Sequence, residues 1–117
     1  RGVKMCLVSA TADYLVKECL SRCGIEGYFE FVLSSEDTGL GKHKPDIYHM
    51  AAGRLGSVPA DTAVYEDAYY AARTAKDAGY YLIGVQDPIA AEHWAKICEF
   101  ADETVTDWRD ASKNIKA

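Results

Sequence analysis

The sequence predicts an α/β fold built on a parallel sheet, and three observations carry that reading. Short apolar runs (Val3 to Val8, Phe29 to Leu33, Thr62 to Tyr65, Tyr81 to Val85) alternate with stretches of helical periodicity. Glycines stand where the helical stretches end, at Gly24, Gly56 and Gly79. Composition is that of a globular domain, 49% hydrophobic and 26% charged, so 117 residues suffice for a core. Strands alternating with helices lead to a parallel sheet with right-handed crossovers.

The elements follow in order. Val3 to Val8, broken only by Lys4, reads as a buried strand. After Ser9-Ala10-Thr11 a helix runs to about Cys23, with Leu15, Cys19, Leu20 and Cys23 as its apolar stripe. Phe29 to Leu33 is the second strand. Ser34 to Lys44 is polar and glycine-punctuated, hence a loop. Pro45-Asp46 opens a helix whose inner side is Ile47, Met50, Ala51 and Leu55. Thr62 to Tyr65 is the third strand, and the helix from Tyr69 to Ala78 presents a small face of Ala71, Ala72, Ala75 and Ala78 that permits close approach to a sheet. Tyr81 to Val85 is the fourth strand, Ala90 to Ala101 a helix with Trp94, Cys98 and Ala101, Glu103 to Thr106 a short fifth strand, and a frayed helix lies near Trp108.

Bulk properties narrow the function. The net charge of -5, with signs mixed along the chain, speaks against nucleic acid or an anionic membrane as the main partner. No apolar run has the length of a bilayer span. The chain begins Arg1-Gly2 with no signal pattern, which leads to the expectation of a processed chain or a piece of a longer one. Cys6, Cys19, Cys23 and Cys98 form no Cys-x-x-Cys, and His43, His49 and His93 are not at zinc-like spacing from them. Cys19 and Cys23 share a helix face with Leu15, so buried thiols there, in a reducing, cytoplasmic setting, are the expectation.

In open parallel sheets ligands bind beyond the carboxyl ends of the strands, and three such ends carry polar residues. At Ser9-Ala10-Thr11, a hydroxyl and backbone N–H groups at a helix N-terminus suit a phosphate, and equally suit a plain N-cap. Lys42 can neutralise charge on a phosphoryl group, or be a solvated loop lysine, and Lys44 competes for the same role. Glu66-Asp67 places two carboxylates after an apolar strand. Their repulsion would be relieved by Mg²⁺, which prefers one or two carboxylates plus water; acids decorating a helix N-terminus is the alternative. Together the three ends have the parts of phosphoryl transfer. A covalent route also needs a nucleophile, and none of Asp13, Asp37, Asp46 or Asp61 follows an apolar strand at the correct edge.

At this point the residues resemble a known family. Gly41-Lys42-His43-Lys44-Pro45-Asp46-Ile47-Tyr48 is similar to the Gly-Lys-Pro-x-Pro-Asp-Ile-Phe stretch of haloacid-dehalogenase-like hydrolases. Val64-Tyr65-Glu66-Asp67 with Ala75-Lys76-Asp77-Ala78-Gly79 resembles their Glu-Asp-Ser-x-x-Gly…Ala-Ala-x-x-Ala-Gly segment. Leu7-Val8-Ser9-Ala10-Thr11 matches the strand ending in the phosphate-binding Ser or Thr, and Gly27-Tyr28-Phe29-Glu30-Phe31-Val32 resembles the Tyr-Phe-Asp run before the next strand. The four stand in register from Val3 to about Asp107. His43 departs from the family's proline, and Ala68 and Ala71 replace its frequent Ser and Gly.

The resemblance implies a Rossmann-like, three-layer parallel sheet, with residues 1–117 as the C-terminal part of its core domain. It implies that Ser9, Ala10 and Lys42 bind the phosphoryl group, with Lys42 also stabilising the nucleophile. Asp67, helped by Glu66, would hold Mg²⁺, and Asp46 would be structural. The implied activity is a Mg²⁺-dependent phosphatase for a small phosphorylated metabolite, working through an aspartyl-phosphate. A phosphomutase of the same family is the alternative, and a non-catalytic, receiver-like interaction module another. The family's nucleophile motif, Asp-x-Asp-Gly-Thr, is absent from the sequence, as is the helical cap domain. The fold is therefore expected to be incomplete, lacking a central strand between the strand ending at Ser9 and the one ending at Glu66. The chain by itself is expected to be poorly folded and inactive.

Overall fold

The structure, a computed structural model, describes residues 2–111. It divides into two compact units, Gly2–Val58 and Pro59 onward, each with its own parallel sheet.

In the first unit β1 (Leu7–Ser9) lies parallel to β2 (Val32–Ser34), Ser9 beside Ser34. Both strands start later than the apolar runs that predict them. Val3 and Met5 are 79% and 42% exposed, so the buried strand expected from Val3 is a half-buried one from Leu7. Among the described residues β1 pairs with β2 alone, and a two-stranded sheet offers the flanking apolar residues little to pack on.

Helix α1 (Asp13–Arg22) follows and stops at Gly24, φ 72°. Its buried side is the predicted one only at Leu20. Ala12 and Leu20 are buried and Val16 half-buried, whereas Leu15, Cys19 and Cys23 are exposed. Ala12-Val16-Leu20 and Leu15-Cys19-Cys23 are both i, i+4, i+8 rows, about 60° apart round the helix, and the sheet takes the first. Nor are the thiols buried: all four cysteines are free, Cys19, Cys23 and Cys98 are exposed, and Cys6 is partly buried. Within the predicted loop from Ser34 to Lys44 the chain forms a further short helix, α2 (Ser35–Thr38). Four polar residues show no apolar stripe, so periodicity misses it. Gly39, φ 72°, takes the left-handed conformation that reverses the chain into the Lys42 loop. Helix α3 (Asp46–Arg54), capped by Pro45, buries Ile47, Tyr48, Ala51 and Ala52, while Met50 is 37% exposed and not an inner residue.

In the second unit β3 (Ala63–Glu66), β4 (Tyr81–Val85) and β5 (Glu103–Val105) run parallel in that order. The third strand is shifted one residue from its predicted span, which takes Glu66 into the strand beside Gly84. Helix α4 (Tyr69–Asp77) packs the small face that the sequence predicts, with Ala71, Ala72 and Ala75 fully buried. The helix predicted from Ala90 begins instead as a 3₁₀ segment, Pro88–His93, whose Asp87 cap accepts the Ile89 N–H at 3.0 Å. Helix α5 (Trp94–Phe100) then buries Ile97 and leaves Cys98 exposed. Its approach to β4 is close: a Cβ on Gly84 would lie 2.6 Å from Ile97 Cγ2. Asp102 ties the layers together, accepting the Leu82 N–H and a Lys76 Nζ hydrogen bond, each at 2.8 Å. Helix α6 (Trp108–Ala111) ends the described chain, with Trp108 stacked on Tyr65 at 5.9 Å between ring centroids.

Candidate active site

The polar strand ends divide between the units. In the first, Ser9 is the last residue of β1 and is half-buried. It is not the N-cap of α1; that position is Ala12, which gives no side-chain bond. The Ser9 Oγ accepts the Thr11 N–H at 3.0 Å. A hydroxyl has one donor and two acceptor sites, so this bond orients the oxygen and leaves its O–H to donate elsewhere. Ala10 and Thr11 are exposed beside it.

Lys42 lies in the loop between α2 and α3 and is half-buried, while Lys44 is exposed. The two lysines that the sequence leaves in competition thus differ in burial. A recess of about 300 Å³ in the loop is lined by Gly39, Leu40, Gly41, His43, Lys44 and Asp46.

Three residues of this unit carry structure that sequence reasoning missed. Ser34, at the carboxyl end of β2, is 1% exposed; its Oγ donates to the Thr11 carbonyl at 2.7 Å and accepts the Glu36 N–H at 3.2 Å. Asp37 Oδ2 accepts the Asp13 N–H at 2.9 Å and so supplies the cap that Ala12 lacks. Thr38 Oγ1 donates to the Ser34 carbonyl at 2.7 Å and accepts the Leu40 N–H at 3.2 Å. The signal was present: Ser34-x-x-Asp37 is a capping-box pattern. Here its two members serve different helices, Ser34 at α2 and Asp37 at α1.

In the second unit Glu66 closes β3 and is 7% exposed, while Asp67 follows it and is exposed. The Asp67 N–H donates to Glu66 Oε1 at 3.3 Å. Helix α4 has Ala68 as its N-cap and no acid in its first turn. Neither carboxylate lies within the helix, and Asp67 directly precedes its N-cap. Among the described residues no group of three or more His, Cys, Asp or Glu side chains gathers to hold a metal. Mg²⁺ does not require one, because it binds through one or two carboxylates and completes its shell with water and phosphate oxygens. A pair of hard oxygen donors at a strand end fits that ion.

Known proteins frame this arrangement. The haloacid dehalogenase-like hydrolase family profile matches residues 1–79. A phosphorylated carbohydrates phosphatase of Thermotoga maritima is 32% identical over 79 residues, 68% of this chain and 37% of that protein. A beta-phosphoglucomutase of Bacillus subtilis is 32% identical over 84 residues, 72% of this chain and 36% of that protein. The crystal structure of a haloacid dehalogenase-like protein from Agrobacterium tumefaciens superposes with a TM-score of 0.79 at 23% identity, over 97% of this chain and 54% of that one. The matched part is thus well under half of each of these two curated relatives and about half of the solved chain. Among the described residues no helix is long and apolar enough to cross a membrane.

Proposed function

Because this chain belongs to the haloacid dehalogenase-like hydrolase family, we propose that residues 1–117 form the C-terminal part of the core domain of a Mg²⁺-dependent phosphatase. Its substrate is a small phosphorylated metabolite and its setting the cytoplasm. The observation that carries the reading is the position of Ser9 and Glu66 as the last residues of parallel strands, with Asp67 directly after Glu66. In open α/β sheets that is where ligands bind.

In this proposal the Ser9 O–H donates to a phosphoryl oxygen, with the Ala10 amide alongside. Lys42 balances charge on the phosphoryl group and on the attacking carboxylate. Asp67, helped by Glu66, holds Mg²⁺, which when bound draws charge from the phosphoryl oxygens. The nucleophile is an aspartate of an Asp-x-Asp-Gly-Thr segment, a motif this chain does not contain. Its carboxylate attacks phosphorus and expels the alcohol, and water then hydrolyses the aspartyl-phosphate. In this proposal the strand carrying that aspartate adds to the β1 edge of the first sheet, where among the described residues β1 pairs with β2 alone.

The test is p-nitrophenyl phosphate turnover by the protein that carries the nucleophile segment together with this chain. Lys42→Ala is expected to lower kcat by roughly 10²- to 10³-fold. Asp67→Asn is expected to weaken Mg²⁺ binding, measured by calorimetry, far more than Asp61→Asn, because Asp61 lies before β3 at the other end of the strand. Full turnover in Lys42→Ala, or equal metal affinity in the two Asp variants, would sink the assignment. The 117-residue chain expressed alone is expected to show no turnover. A second reading, phosphomutase, is favoured by the Bacillus subtilis relative. Products distinguish the two: a phosphatase releases inorganic phosphate, and a mutase returns the phosphoryl group to another hydroxyl of the substrate.

A further inference from the structure

Ser34, 1% exposed, is a buried polar residue of the first unit. A buried hydroxyl is costly unless bonded, and the bonds of Ser34 reach in two directions. Its Oγ–H holds the Thr11 carbonyl at 2.7 Å, and the Thr11 N–H in turn holds Ser9 Oγ at 3.0 Å. Its carbonyl accepts Thr38 Oγ1–H at 2.7 Å, and Thr38 Oγ1 accepts the Leu40 N–H at 3.2 Å, two residues before Lys42. Ser9 and Ser34 are also partners across the strand pair. An N-cap serine needs only the bond from Glu36 N–H to do its work. A helical threonine commonly bonds the carbonyl four residues back, but here the same oxygen also receives the chain that leaves the helix.

The geometry points to Ser34 and Thr38 as positioning residues that set the Ser9 hydroxyl and the Lys42 loop in one hydrogen-bonded frame. Neither touches the substrate. Ser34 fixes the carbonyl of the turn whose N–H orients Ser9, and Thr38 fixes the start of the segment that delivers Lys42. The inference rests on the assignment of Ser9 and Lys42 to the phosphoryl group made above.

Double-mutant cycles in the intact enzyme test it, with p-nitrophenyl phosphate as substrate, inorganic phosphate as inhibitor and a thermal melt on every variant. Ser34→Ala and Thr38→Val are each expected to lower kcat/KM and raise the inhibition constant of phosphate by roughly five- to tenfold, the worth of one hydrogen bond. Thr38→Ser, which keeps the hydroxyl, is expected to restore both. In a Ser9→Ala background Ser34→Ala should add about twofold or less, as should Thr38→Val in a Lys42→Ala background. A residue that only supports the fold would lower the melting temperature while its kinetic effect multiplied fully with that of Ser9→Ala or Lys42→Ala, and that outcome overturns the inference. If Ser34→Ala does not fold, Thr38→Val, close in shape at a half-buried position, decides alone. If Ser9→Ala and Lys42→Ala leave kcat/KM unchanged, the phosphoryl assignment fails and the frame falls with it. If they lower it and the Ser34 and Thr38 variants do not, the frame alone is wrong.

Discussion

In Gly2–Val58 the strand ends are held by side-chain hydrogen bonds: Ser34 to the turn after β1, Asp37 to the first turn of α1, Thr38 to the segment before Lys42. From Pro59 onward close packing joins the side-chain bond at the corresponding strand end, where Glu66 Oε1 accepts the Asp67 N–H at 3.3 Å. Glu66 sits beside Gly84, over which Ile97 closes at a distance no side chain could share, and the alanines of α4 bring that helix onto the sheet. The contrast follows from what each sheet can bury. Two short strands give little apolar surface, so the first unit orders its loops with directional bonds. Three strands covered by small and branched side chains let the second add close packing to its side-chain bonds at Glu66 and Asp102. Directional bonds are individually worth about 0.5–1.5 kcal/mol, whereas one deleted core side chain costs about 2–5 kcal/mol.

Substitutions can break this comparison, and they rank by size. Leu82→Ala, at a fully buried position in β4, is expected to destabilise by about 2–5 kcal/mol, read by denaturant unfolding. Gly84→Ala forces a methyl against Ile97, with Ala101 Cβ at 3.5 Å and Trp94 Cζ3 at 3.7 Å behind it, and is expected to cost about 1–3 kcal/mol. Adding Ile97→Ala to Gly84→Ala should relieve the overlap; a double variant no better than the sum of its parts would show that the fit at Gly84 is not what limits it. Ser34→Ala leaves the Thr11 carbonyl and the Glu36 N–H without their partner and is expected to cost about 1–3 kcal/mol. If it costs as much as Leu82→Ala, the two units are not held differently in the way described.

The smallest expected effect is a pH dependence in the second unit. The hydrogen bond from Lys76, and then that from the Leu82 N–H, hold the Asp102 carboxyl below its usual range. A carboxylate with a lowered folded-state pKa adds stability above its unfolded value of about 3.9, and that stability is lost as the pH falls through the folded value. The melting temperature should therefore drop as the pH is taken from 5 to below about 3. In Asp102→Asn that part of the drop should vanish. A drop of unchanged size in the variant would assign the acid sensitivity to other groups.

Much of this was legible beforehand, and the misses have physical causes. The order of strands and helices follows from apolar runs punctuated by glycine, and β4 and the alanine face of α4 stand where they were read. The buried face of α1 was read correctly at Leu20 and misread at Leu15, Cys19 and Cys23, because two adjacent rows satisfy the same spacing and only the tertiary contact chooses between them. Helix α2 has no apolar residue to betray it. Ser34 was invisible as a buried residue because a serine's letter is the same in a loop and in a core. Lys42, Glu66 and Asp67 were singled out by their place beyond strand ends and then by a motif, and the structure adds what spacing cannot: Glu66 is inside the strand and buried, Asp67 outside it and exposed.

The stack of Trp108 on Tyr65 has an optical consequence. Tyr65 immediately precedes Glu66, so the indole reads the end of β3 that bears the acid pair. The second tryptophan, Trp94, is partly buried against the Gly84 side of the sheet, whereas Trp108 is 61% exposed. Iodide should quench the redder emission of Trp108 first and leave the Trp94 signal. A Trp94→Phe variant would then be a single-colour probe, in which the Mg²⁺ binding proposed above would register as a change in emission without any label being attached.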